Sequence, residues 1–331
     1  MPAGRQHDDL APLLVSRAEA LARGRTPDEV RWLLRTGRWT ALRRGLYVPT
    51  ADLAPETDPH RRFWLEAMAL ERHLDRPTAA FSHATAARMW GLTVSATAGP
   101  ELRLTDPVGP RRGRDFRISA AALPADDVTR AGPLLVTRPA RTLVDCAREW
   151  PDVDAVAAID DALLRGRVRP PDLQAVVERT PRRPGTPAAA RAVDLADGRA
   201  ESWLESAWRV RHLGAGLPRP LLQVEIWVDG RLVKVVDGWF GDAAVAVECD
   251  GQVKYARPCR GRSPAQVLWE EKRAEDALRA VGIRVIRVVA ADVRSGWPAL
   301  VSRTRRELAA PVPRLGAFSA VPRLVGRVRP A

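Results

Sequence analysis

The sequence predicts an α+β chain of several domains, and three observations predict it. Capped helix signals come as a pair near the N-terminus. Strands with alternating apolar residues recur between helical stretches from residue 101 onward, and a proline- and arginine-rich break precedes the last third of the chain. With 331 residues, 46% of them hydrophobic, the length and apolar content suffice for two or three packed cores. The expected divisions are an N-terminal domain at 1–55, an α/β middle region at 56–180, a linker at 181–197, an αβββαβ domain at 198–310 and a disordered tail at 311–331.

Composition narrows the function classes. No apolar run approaches the roughly 20 residues needed to span a bilayer, and Met1 to Leu10 is polar and acidic rather than a basic leader. A cytoplasmic protein with no membrane partner is expected. The net charge of +13 favours a polyanion, because basic residues set against phosphates release condensed counterions, and double-stranded DNA is the expected partner. Only Lys234, Lys254 and Lys272 among the 53 basic residues are lysines, and all lie in 198–310. A lysine kept where arginine is otherwise used marks a place that wants a compact ammonium with an adjustable pKa. Cys146, Cys249 and Cys259 are odd in number without a C-x-x-C pair, which argues against a zinc ribbon or a disulfide framework; the scattered histidines lack metal-ligand spacing.

At the N-terminus Ser16 caps a helix that Gly24 ends. Thr26-Pro27-Asp28-Glu29 then combines an N-cap, a proline in the first turn and a Glu three residues on, the layout of a capping box. Val30, Leu33 and Leu34 form the buried stripe of this second helix. Trp39 to Val48 follows as a short ribbon with Arg43-Arg44-Gly45 at or beside its turn. Two capped helices before a basic ribbon describe a winged helix-turn-helix, with Arg25, Arg31, Arg35, Arg38, Arg43 and Arg44 placed for phosphate and guanine-edge contacts. Through Gly24-Arg25-Thr26 and Trp39-Thr40-Ala41-Leu42-Arg43-Arg44-Gly45-Leu46-Tyr47, about 40 residues in all, the segment resembles the winged-helix domain of AbiEi-type antitoxins.

The middle region opens with an amphipathic helix, Arg61 to Leu74, and a short helix over Ser82 to Trp90 closed by Gly91. Strands are expected at Glu101–Thr105, Phe116–Ser119 and Leu134–Thr137, with helices beyond. Ser82-His83 lacks the glycine-flanked elbow of a nucleophile and reads as structural, and Arg141 with Asp145 reads as an ion pair. The layout is similar to the region that follows the winged helix in AbiEi-like proteins. That resemblance implies an antitoxin of type IV, a repressor of its own promoter, whose partner is a nucleotidyltransferase-type toxin encoded nearby.

In 198–310 a helix from about Arg199 to Leu213 is expected to carry Glu201, Glu205, Trp208 and His212 on one face. Leu221–Val228 and Arg231–Asp237 read as strands joined by the Asp229-Gly230 hairpin, with a third strand at Ala243–Asp250. Alternation puts Glu248 and Asp250 on one face, and Asp237 ends the neighbouring strand, so three carboxylates are expected at one end of the sheet with Glu205 approaching from the helix. Gathered carboxylates repel unless a cation sits among them, and oxygen ligands suit Mg²⁺ or Mn²⁺, which activates water for attack on a phosphodiester.

Val236-Asp237-Gly238-Trp239, Val245-Ala246-Val247-Glu248-Cys249-Asp250-Gly251 and Glu271-Lys272-Arg273 to Gly282-Ile283-Arg284-Val285-Ile286-Arg287 together resemble the DUF559 and Vsr-like branch of the PD-(D/E)XK, restriction-endonuclease-like superfamily. The resemblance implies that Asp237 and Glu248 hold metal, with Glu205 auxiliary. Asp250 stands where that pattern commonly has lysine. Alternation turns Lys234 to the opposite side from Asp237, which leaves Lys254 or Lys272 to orient the attacking water. Two readings follow: a Mg²⁺-dependent DNA endonuclease, or a non-catalytic transcriptional regulator and antitoxin.

Overall fold

The computed structural model describes residues 8–53, 60–250, 264–313 and 315–323. The chain forms two compact units, Met1–Cys146 and Ala147–Ala331, of mixed α and β structure, with three sheets among the described residues. Among the described residues no helix is long and apolar enough to cross a membrane.

The first unit begins with β1 (Val15–Ser16), α1 (Arg17–Ala22), α2 (Pro27–Arg35), β2 (Trp39–Arg43) and β3 (Leu46–Pro49). Both expected caps form. Ser16 Oγ accepts from Glu19 N–H at 3.0 Å while Ser16 N–H donates to Glu19 Oε2, and Thr26 and Glu29 repeat the reciprocal pair. The three strands make one sheet in the order β1-β3-β2, with the ribbon turning at Arg44-Gly45, where Gly45 has φ +77°.

Next come α3 (Arg61–Leu74), β4 (Ala80–Phe81), α4 (His83–Met89), β5 (Leu102–Asp106), β6 (Arg111–Arg112), β7 (Phe116–Ala120), β8 (Val128–Ala131), β9 (Leu134–Thr137) and α5 (Pro139–Ala147). Strands β4 to β9 form a sheet in the order β6-β7-β5-β4-β9-β8. The expected border at residue 55 does not divide the core. Leu10, Leu14, Leu46 and Val48 pack in one cluster with Trp64 and Leu65 of α3 and with Phe81, Leu104 and Ile118 of the sheet, because α3 is apolar enough to serve both. Arg141 is buried between Asp127 (2.6 Å) and Asp145 (2.8 Å), the expected pair with a second carboxylate added.

The second unit holds α6 (Asp152–Leu164), α7 (Pro170–Arg179), α8 (Thr186–Leu195), α9 (Trp203–Gly214), β10 (Leu221–Val228), β11 (Arg231–Phe240), β12 (Val245–Asp250), α10 (Pro264–Ala280), β13 (Arg284–Val289), α11 (Ala290–Arg294), α12 (Trp297–Ala309) and β14 (Ser319–Pro322). The expected linker at 181–197 is mostly α8. Pro187, which reads as a breaker, falls in the helix's first turn, where its missing N–H costs nothing, and Gly185 turns the chain into it at φ +81°. Residues 198–310 carry the expected αβββαβ order. The sheet runs β13-β12-β11-β10-β14, with β12 and β13 parallel and the other neighbours antiparallel. Asp229 (φ +50°) and Gly230 (φ +73°) make the hairpin turn. The expected disordered tail contributes β14, which pairs Ser319–Pro322 against Val224–Trp227 because β10 otherwise offers an open edge of backbone donors and acceptors.

Candidate functional site

The arginines of the first unit differ in what they do. Arg25, Arg31, Arg35, Arg38 and Arg44 are exposed. Arg31 pairs with Asp28 one turn earlier, Arg25 lies 5.2 Å from the centroid of the Trp39 ring, and Arg38 lies 4.7 Å from that of Trp32. Planar contacts of this kind hold a guanidinium extended while leaving its donors facing outward. Arg43 is the exception. Its guanidinium pairs with Asp115 and its side chain is only 16% exposed, so it ties the ribbon to the segment before β7 instead of standing clear for a phosphate.

Among the candidate site residues of the second unit, Glu205 and Asp237 fall in one group and Glu248 in another. Ser202 caps α9 through Glu205 N–H (3.2 Å) and donates its hydroxyl to Glu205 Oε1 (2.8 Å), while Glu205 Oε2 accepts from Glu201 N–H (2.8 Å). Glu201 therefore precedes the helix and does not share its face. Gln223 Nε2 donates to Glu205 Oε2 (3.0 Å) and to Asp237 Oδ1 (3.2 Å), bridging the two carboxylates. Asp237 Oδ2 accepts from Cys249 N–H at 2.7 Å, beyond the last antiparallel pair, Gly238↔Val247, as β11 parts from β12. Glu205, Gln223 and Asp237 are all buried. Burial, and then the charge of Asp237, push the Glu205 carboxyl up to about 7.

Glu248 belongs to the other group. It pairs with Lys234 at 2.6 Å, and its partner on β13 is Arg287, which pairs with Glu275 of α10. Lys234, which alternation sets aside, thus reaches a candidate carboxylate. Lys234 does stay apart from Asp237, as alternation expects; what departs from expectation is that Glu248 is not grouped with Asp237, where Gln223 sits at φ +51° inside β10 and the 223/237 pair drops out of the register. Asp250 is half-buried at the end of β12, Lys272 is exposed on α10, and Lys254 lies outside the described residues.

The expected convergence of Asp237, Glu248 and Asp250 is not what the strands produce. Asp237 is held with Glu205 by the Gln223 amide, and Glu248 is neutralised by an ammonium. Among the described residues no three His, Cys, Asp or Glu side chains gather as a ligand set for a cation. The donor set as arranged does not fit Mg²⁺, which demands several oxygens in near-octahedral array. What the Glu205–Gln223–Asp237 cluster can do is hold one proton near neutrality. Gln223 is the residue that reading the sequence missed, since nothing in Leu222-Gln223-Val224 signals a left-handed backbone.

Residues 77–196 match the AbiEi antitoxin C-terminal domain. The match begins in the middle region and continues through α8, past the expected end of that region at residue 180. Over 224 residues the chain is 30% identical to two proteins of Mycobacterium tuberculosis, Uncharacterized protein MT2308 of strain CDC 1551 / Oshkosh and Uncharacterized protein Rv2248 of strain ATCC 25618 / H37Rv, a stretch covering 68% of this chain and 79% of each relative. Among solved structures, that of the RV2827C protein from Mycobacterium tuberculosis superposes with a TM-score of 0.41 at 18% identity, covering 57% of this chain and 73% of that one, too loosely to assign a fold from. Nothing in these comparisons supports a DUF559 or PD-(D/E)XK domain. The chain belongs to the family of the two mycobacterial relatives, and its residues 77–196 match the AbiEi antitoxin C-terminal domain.

Proposed function

We propose that the chain is a DNA-binding regulator of the antitoxin kind. Its N-terminal helices and ribbon act as a winged helix-turn-helix on duplex DNA, and its AbiEi region answers to a toxin, of nucleotidyltransferase type, encoded nearby. The observation that carries this reading is the antitoxin domain at 77–196. The segment before it supports the DNA-binding half: two capped helices, a ribbon turning at Arg44-Gly45, and Arg31, Arg35 and Arg44 exposed. The test is a gel shift with the DNA upstream of the chain's own gene. The parent retards it, and Arg31→Ala, Arg35→Ala and Arg44→Ala combined abolish the shift while the protein still melts cooperatively. A shift that persists in the triple variant contradicts the proposal.

A second reading, Mg²⁺-dependent cleavage of DNA at Asp237 and Glu248, has one observation in its favour: two buried carboxylates, Glu205 and Asp237, share one amide where β11 and β12 separate. It requires Glu248 to leave Lys234 and join them. In a supercoiled-plasmid assay with Mg²⁺ or Mn²⁺ the regulator reading expects no nicking by the parent. Nicking that Asp237→Ala and Glu248→Ala each remove would establish the enzyme instead.

A further inference from the structure

A groove of about 460 Å³ lies between the β10–β11 hairpin and α10, and none of the residues of the two groups of carboxylates lines it. One wall is aliphatic, with Val228, Leu232 and Val233 from the hairpin. The other is Trp269, with the small Ala274 and Ala277 leaving the floor open. Trp269 is 59% exposed, uncommon for the largest apolar side chain, and Arg273 one turn along holds its guanidinium 4.6 Å from the indole centroid. Arg231 stands at the hairpin end of the groove, and Asp229 and Glu270 complete the rim.

We propose that this groove binds an unpaired nucleotide of single-stranded nucleic acid. The chemistry matches part by part. An indole beside a guanidinium is a stacking platform for a base, and every base has a face to stack whatever its sequence. The rim carboxylates accept from the amino groups on a base edge, and Arg231 and Arg273 meet the phosphate. The volume falls within the range of pockets that hold one small ligand, roughly 300–1,000 Å³. A base within an intact duplex has both faces covered by its neighbours, so the groove selects unpaired strands. This activity is separate from duplex binding by the first unit: it uses other residues and an aromatic surface rather than phosphate contacts alone.

The test is fluorescence anisotropy of the full chain with three labelled probes, oligo(dT), oligo(rU) and a blunt duplex. The parent binds at least one single strand, and the ratio of dT to rU affinity tells which sugar the groove prefers. Trp269→Ala weakens the single-strand complex by about tenfold or more, Trp269→Phe recovers part of the loss, and Arg273→Ala weakens it too, while duplex affinity is unchanged in all three. Thermal melts of each variant establish folding, which an exposed position tolerates. The proposal is overturned if the parent binds neither single strand, if Trp269→Ala binds them as the parent does, or if it loses single-strand and duplex binding in equal measure.

Discussion

Gln223 sets the properties of the second unit's acidic cluster. A glutamine at φ +51° inside a strand carries backbone strain on the order of 1–3 kcal/mol, and its amide spans two buried carboxylates that would otherwise repel. Glu205 then titrates far above its ordinary value of 4.5, at about 7, chiefly because it is buried and secondarily because Asp237 is charged. The folded chain binds this proton more tightly than the unfolded one, so the associated stability is complete below pH 4.5 and is lost as pH rises through about 7. Glu205→Gln should therefore gain on the parent across that window, by on the order of 3 kcal/mol at pH 8. Urea melts of both proteins at pH 4.5 and pH 8 check this, and a stability difference that does not change with pH would count against it. The sequence pointed to Glu205 approaching Asp237, and the two are bridged by Gln223, since acidic residues on a strand and on the helix before it are visible in one dimension. It could not disclose the partners, because strict alternation assumes a regular strand. The left-handed Gln223, whose amide reaches Asp237, is a three-dimensional fact with no mark in the sequence.

At the scale of elements, α9 is anchored twice. It packs on the sheet through Leu204, Ala207 and Trp208, and it is tied to α6 by Arg209, whose guanidinium meets Asp160 at 2.7 Å with both groups 1% exposed. Asp160 also accepts from Ser206 Oγ and Asp197 N–H, yet burial still raises its pKa. Removing one partner of such a pair strands the other charge, so Arg209→Ala should cost about 3–5 kcal/mol, read as the fall in the urea midpoint, whereas an exposed ion pair such as Arg165 with Asp161 should be worth less than about 1 kcal/mol. Most elements were legible in the sequence. The cap at Ser16 and the capping box at Thr26 located both N-terminal helices, alternation and Asp229-Gly230 located the hairpin, and periodicity located Arg61–Leu74 to the residue. The failures came where one residue type serves two ends: proline reads alike as a breaker and as a first-turn residue, which hid α8, and a short strand has meaning only beside an open edge, which hid β14.

At the scale of the whole molecule, the two compact units do not follow the composition breaks. Leu10, Leu14 and the ribbon's Leu46 and Val48 share a core with the middle sheet through α3, while α1 and α2 pack in a cluster of their own with Val15 and Tyr47, and the antitoxin match at 77–196 continues past Cys146 into the second unit. Local composition reports where the chain turns polar, whereas a unit is defined by which apolar faces cover one another, and that depends on pairings between distant residues. Under the regulator reading the net charge of +13 acquires a specific meaning, because the exposed arginines of the first unit come ahead of the residues that match an antitoxin domain. The most direct measurement is the affinity of the full chain for duplex DNA from upstream of its own gene, taken by anisotropy over a range of salt concentrations. The regulator reading predicts a steep fall of log K with log salt, and a slope smaller by roughly one for each of Arg31, Arg35 and Arg44 changed to alanine. A parent that does not bind this DNA, or a triple variant with the parent's slope and affinity, would contradict it.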